Sequence, residues 1–213
     1  MSVRRLLPLS GIVFVVLLVV AVVVLGGDTP ESKASAAEVA TFYGDEATRQ
    51  FIAAFVLAAT APFIVLFASS FASRQWPDDH HHASVWQRVL VAGSAVTAAA
   101  SVIAALLHFA LADGADQNVS PTALQALNVL DANAWVPFNS GLGVMMLGAA
   151  GLLLTGSLLP RWLGWLALLL GVALFIPFAD FAALIVSLLW IIVVSVMLYR
   201  TDAADLEPAP AIR

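Results

Sequence analysis

Six uncharged apolar runs divide the chain: Leu6–Leu25, Phe51–Phe71, Val89–Ala112, Val136–Leu159, Trp162–Phe178 and Phe181–Tyr199, with the charged residues collected between them. At about 1.5 Å per helical residue, each run crosses most or all of a ~30 Å hydrocarbon layer. Unsatisfied backbone groups are not tolerated in lipid, so runs of this length predict helices. The pattern predicts an all-α polytopic membrane bundle of six transmembrane helices. It forms a single membrane domain over residues 1–200, followed by a disordered cytoplasmic tail, 201–213. Read as one helix, Trp162–Tyr199 would be about 57 Å long, with Asp180 in hydrocarbon. Pro177 disfavours helical geometry at Ile176 and lacks a backbone donor, so a hairpin through Pro177–Asp180 is expected to separate two spans.

The charges between the runs are sided. Threading six passes from a cytoplasmic N-terminus places Arg4, Arg5, Arg74, Arg88, Arg161, Arg200 and Arg213 on one side and only Lys33 and Arg49 on the other. Basic residues near span ends stay in the cytoplasm, so both termini are expected inside. Asp28, Glu31, Glu38, Asp45, Glu46, Asp113, Asp116, Asp131 and Asp180 then lie outside. The first run exceeds the 7–15 residues typical of a cleaved signal core, so it reads as an uncleaved anchor. The expected location is the bacterial cytoplasmic membrane.

Composition narrows the function classes. The chain of 213 residues is 62% hydrophobic and 11% charged, against about 25% charged in soluble domains. A net charge of -5 without a basic cluster excludes a nucleic-acid partner. With no cysteine, disulfides, thiolate metal sites and cysteine nucleophiles are excluded. No motif calls for a cofactor.

Two outer loops contain helix signals. Ser35-Ala-Ala-Glu38 fits a capping box, with Val39, Phe42 and Tyr43 expected on the membrane surface. Ser120-Pro121 is a cap followed by a first-turn proline. The short helix after it, with Leu124, Leu127 and Leu130 at threefold spacing, is expected along the interface or between the span tops. In the third run Ser94, Thr97, Ala98, Ser101 and Ala105 recur at helical spacing. The fourth contributes Gly141, Gly143, Gly148, Gly151 and Gly156. Small residues permit close helix approach in lipid, so these two spans are expected at the bundle centre. Pro62 is expected to kink the second span.

Candidate chemistry concentrates at the outer ends of the spans. His108 is the one residue within the apolar runs able to titrate near neutrality, and an ionisable group at membrane depth is a functional hypothesis. A neutral imidazole hydrogen-bonded to a neighbouring helix is the structural alternative. His108, Asp131 and Asp180 are the candidate catalytic residues. Glu46, Arg49, His108, Asn133 and Asn139 are the candidate ligand-binding residues. Capping is the favoured account of Asp45, Asn133 and Asp180, and a local ion pair that of Arg49. On the inner side His80, His81 and His82 are weak metal candidates, because adjacent side chains diverge.

Ser157-Leu-Leu-Pro-Arg-Trp-Leu-Gly-Trp165 resembles a segment of small, uncharacterised multi-pass membrane proteins of bacteria, especially actinobacteria. Leu-Asn-Val-Leu-Asp131 with Val136-Pro-Phe138, and Trp190 in the last span, extend that resemblance over the C-terminal half. The resemblance implies a membrane domain of unknown function with no assigned catalytic residues. The expected role is binding of a lipid or apolar small molecule, or service as an accessory subunit to another membrane protein or in a homo-oligomer. The alternative is a small intramembrane enzyme around His108. A transporter is less favoured, because no charge lies at mid-span.

Overall fold

The computed structural model describes residues 3–74, 81–156 and 159–204, and it is helical without strands over those residues. The helices are α1 (Val3–Leu6), α2 (Ser10–Val19), α3 (Ala36–Asp45), α4 (Ala47–Arg74), α5 (His81–Asp116), α6 (Pro121–Ala132), α7 (Trp135–Thr155), α8 (Arg161–Ala173) and α9 (Asp180–Ala204). A 3₁₀ turn, Leu7–Leu9, leads into α2, and a π-helical stretch, Val20–Gly26, extends it. Five stretches are long and apolar enough to cross a membrane: Leu7–Gly26, Ala47–Arg74, Val85–Asp116, Pro121–Thr155 and Asp180–Thr201.

The fifth apolar run differs from its expected form. Only Arg161–Ala173 is helical, 13 residues or roughly 20 Å. The chain then turns through residues 174–179, reaching a left-handed φ of 72° at Phe178. Pro177 accounts for the break, since it offers no donor and restricts the residue before it. Helix α9 continues through Ala204, into the expected tail, the rest of which lies outside the described residues. His80, with Asp78 and Asp79, also lies outside them, as do the side chains of His81 and His82.

Helices α5 and α7 pack closely together, as the small-residue pattern predicts. Gly93 faces the backbone of Met145, Gly141 that of Thr97 and Gly148 that of Leu90, while Gly151 receives the Trp86 ring. A Cβ at any of these four glycines would collide with its neighbour. Small residues thus let the two backbones approach closely. Around this pair, Phe14, Ile64, Phe67, Phe71, Ile191 and Val194 complete an apolar core. Trp190 Nε1 donates to Leu163 O at 3.1 Å, joining α9 to α8. Arg5 stands over the Tyr199 ring at 5.2 Å, so the start of the first long stretch and the end of the last lie at one end of the bundle.

A cap covers the opposite end. Ser35 Oγ accepts from Glu38 N at 3.2 Å and starts α3. Ser120 Oγ accepts from Ala123 N at 3.4 Å and starts α6, with Pro121 in its first turn. Gln125 Nε2 donates to Ala34 O at 2.9 Å, and Asn128 Nδ2 donates to Pro30 O and Glu31 O at 3.2 and 3.0 Å. Beneath these bonds Val39, Tyr43, Leu111, Ala112 and Leu124 form a second, smaller core. Val39 and Tyr43 therefore face inward and not onto the membrane surface. Sequence periodicity gave α3 an apolar face, and the α5–α6 corner decides what that face covers.

Candidate functional site

The cap and the bundle meet at a buried polar cluster. Helix α5 brings up His108, which is 9% exposed. Gln50, in the first turn of α4, is fully buried beside it, and its Nε2 donates to Gly26 O at 3.4 Å. That carbonyl ends the π-helical stretch. The chain then leaves the helix at Gly27, whose φ of 57° suits glycine and places it under the Arg49 guanidinium. Because the Gln50 amide nitrogen is committed to Gly26, its oxygen faces the histidine. His108 Nε2 lies 2.5 Å from Gln50 Oε1, and Nδ1 lies 3.2 Å from Asp131 Oδ2 at the end of α6.

Both histidine partners are acceptors. A ring N–H at Nε2 therefore serves Gln50, and the Nδ1–Asp131 contact is closed by a proton carried on either partner. Tyr43 packs edge-on against the imidazole, with ring centroids 5.8 Å apart at 79°. Its hydroxyl is buried and has no hydrogen-bond partner among the described residues. Burial pushes the Tyr43 phenol well above its ordinary ionisation range, and the nearby Asp131 carboxylate pushes it further. Tyr43 is therefore a neutral wall of the cluster.

Below His108 and Asp131 opens a cleft of about 410 Å³. Leu18, Leu57, Ala104 and Leu188 line its depth, and Phe138 lies against it where it stacks on Phe14 at 6.5 Å. Among the lining residues only Thr29, Ser101, His108 and Asp131 bear hydroxyl, imidazole or carboxylate groups. On one side the cleft is bounded by Val22 and Val23 from the first stretch and by Phe181 and Ile185 from α9. All four are exposed on the outside of the bundle. The cleft is thus open sideways, toward the apolar exterior of the bundle.

The other candidates separate. Asn139 is buried, and its Nδ2 donates to Asp180 Oδ2 at 3.4 Å, beside a second cavity. Arg49 pairs with Glu46 at 3.3 Å on the partly exposed rim of the cap. Neither lines the cleft. Asn133 is exposed and donates back to Val129 O at 2.6 Å, so it closes the end of α6 and does not join the cluster. Two members, Gln50 and Tyr43, were not among the sequence candidates. An uncharged polar residue in the first turn of an apolar span was the available signal for Gln50. No three groups able to hold a metal ion converge among the described residues.

No family model matches the chain, and no curated protein or solved structure shows significant similarity to it.

Proposed function

We propose that this is a six-pass protein of the bacterial cytoplasmic membrane that binds an amphiphilic, largely apolar molecule from the outer leaflet. The cleft is the observation that carries this reading: an apolar chamber of about 410 Å³ with the His108–Asp131 pair at one end. Small-molecule sites have this composition, with few polar groups fixing orientation within an apolar lining. In this reading α8 is the fifth pass, completed by the turn after it. The arginine asymmetry orients the bundle, with the His108 end outside. Contact between Arg5 and Tyr199 supports placing both ends of the membrane domain together.

Catalysis is the second reading, favoured by one observation. Asp131 holds His108 as a carboxylate holds a general base. Against it, Gln50 occupies the remaining ring nitrogen. Binding is the better account. Transport is less well supported, because the cleft is lined from the His108 half of the bundle, and the packed core of Phe67, Phe71, Ile191 and Leu198 lies toward the other end.

Native mass spectrometry of protein extracted from its membrane tests the reading. Ala104→Phe places a ring inside the cleft. Wild-type protein is expected to carry a co-purifying amphiphile that Ala104→Phe loses at unchanged abundance. Equal adducts on both proteins would overturn the assignment to this cleft.

A further inference from the structure

A second cavity, of about 420 Å³, adjoins the cleft and shares Trp135, Phe181 and Leu184 with it. Its remaining lining includes Asn139, Asp180 and Phe178. Asn139 is 3% exposed, and its amide nitrogen is committed to Asp180. That bond fixes the amide orientation, because the oxygen cannot donate to a carboxylate. Asn139 Oδ1 is left buried without a hydrogen-bond partner among the described residues.

A buried acceptor with no donor is costly, because it keeps its desolvation penalty uncompensated. It stands beside a carboxylate, and among the described residues no Lys, Arg or His lines the cavity, leaving the Trp135 indole N–H as the other donor-bearing group. The N-terminus of α9 explains why an aspartate is favourable at position 180, but not why the neighbouring Asn139 oxygen is left without a donor. Trp135, Phe178 and Phe181 supply aromatic faces around the two acceptors, and such faces attract organic cations. The His108–Asp131 pair, by contrast, is already matched internally.

We infer that this cavity is a subsite for a primary ammonium group carried on an apolar body, which lies past Trp135 and Phe181 into the main cleft. The inference rests on the amphiphile reading of that cleft and adds the chemistry of the head group. A primary ammonium has donors for both Asn139 Oδ1 and the Asp180 carboxylate. A trimethylammonium retains the charge but has no donor. An alcohol retains one donor without charge. The same ammonium occurs on aminophospholipids and on free lipophilic amines.

Wild-type protein in phosphatidylcholine nanodiscs is titrated with dodecylammonium, dodecyltrimethylammonium and dodecanol, with thermal protection as the readout. Dodecylammonium is expected to bind about tenfold more tightly than either analogue, as suits a charge-assisted hydrogen bond. Asp180→Asn, which retains a polar helix start, and Asn139→Val are each expected to erase that preference while leaving dodecanol binding unchanged. Replacing part of the phosphatidylcholine with phosphatidylethanolamine distinguishes the sources. Competition with dodecylammonium supports the ammonium chemistry with a lipid head group as its source, and unaltered dodecylammonium binding supports it with a free amine. Equal binding of the amine and the alcohol, or a preference that survives both substitutions, would overturn the inference while leaving the cleft reading intact. Failure of all three probes to bind would overturn the cleft reading, and the ammonium subsite with it.

Discussion

Asp131 Oδ2 lies 3.2 Å from His108 Nδ1, joining the last turn of a cap helix to a histidine one helix earlier in the chain. Both side chains are largely buried, and Gln50 holds the other side of the imidazole. The contact is thus a fastener between the cap and the bundle as well as the ceiling of the cleft. Removing one partner leaves the other buried and unmatched, which costs more than losing the bond alone. His108→Ala and Asp131→Ala are each expected to lower stability by about 1–3 kcal/mol. The double variant should fall well short of the sum, because the two residues are coupled. Denaturant titration in mild detergent measures this, and strictly additive losses would show that the pair is not coupled.

Tyr43 makes a prediction at alkaline pH. Its phenol is held above the ordinary value of 10.0 by burial and by Asp131. The folded state therefore keeps a proton that the unfolded chain releases above about pH 10. Stability from this group is present below that pH and falls as pH rises further. Only two tyrosines occur, so a Tyr199→Phe variant reports Tyr43 alone. Its phenolate absorbance should be absent at pH 10–11, the region where an exposed tyrosine titrates, and should appear only on unfolding. Normal titration in the folded protein would place Tyr43 in water.

The glycines of the central helix pair are expected to differ sharply from one outside it. Gly148 faces the Leu90 backbone, whereas no atom lies within 4 Å of where a Cβ would stand at Gly44 in α3. Gly148→Ala should cost about 1–3 kcal/mol through overpacking. Gly44→Ala should be neutral or stabilising by up to about 1 kcal/mol, by helix propensity. Equal effects of the two substitutions would contradict the central placement of α5 and α7.

The threading can be read directly, because the chain has no native cysteine to remove. Single cysteines at Gln117 and Arg88, on opposite ends of α5, should label from opposite sides of intact cells. Gln117→Cys is expected to react with a membrane-impermeant maleimide, and Arg88→Cys only after permeabilisation. The reverse result would invert the bundle and put the cleft in the inner leaflet.

Much of the architecture was legible because it depends on local chemistry. Ser35 and Ser120 announce helix starts through side chains that reach only three residues, and Pro177 marks a break wherever it stands. The pairing of α5 with α7 was legible because glycine-to-backbone contact has few substitutes in lipid. The site was less so. Whether Tyr43 faces lipid or His108 depends on how α3 rotates against α5 and α6, a tertiary choice that the periodicity of α3 leaves open. Asn133 and Asn139 look equivalent in sequence, yet the turn between α6 and α7 separates a side chain turned back on α6 from one buried beside Asp180. The length of α8 was overestimated from hydropathy alone, because apolar residues 174–179 form a turn.

The central claim is that an amphiphile lies inside the bundle beneath His108. Photo-crosslinking with a dodecylammonium probe bearing a diazirine near its tail, followed by peptide mapping, tests it most directly. The account predicts adducts concentrated on cleft residues such as Leu57, Ala104 and Leu188, and their loss in Ala104→Phe. Adducts confined to outward-facing Phe55, Leu106 and Leu169, with none on the cleft, would show a molecule dissolved in the surrounding lipid and contradict the account.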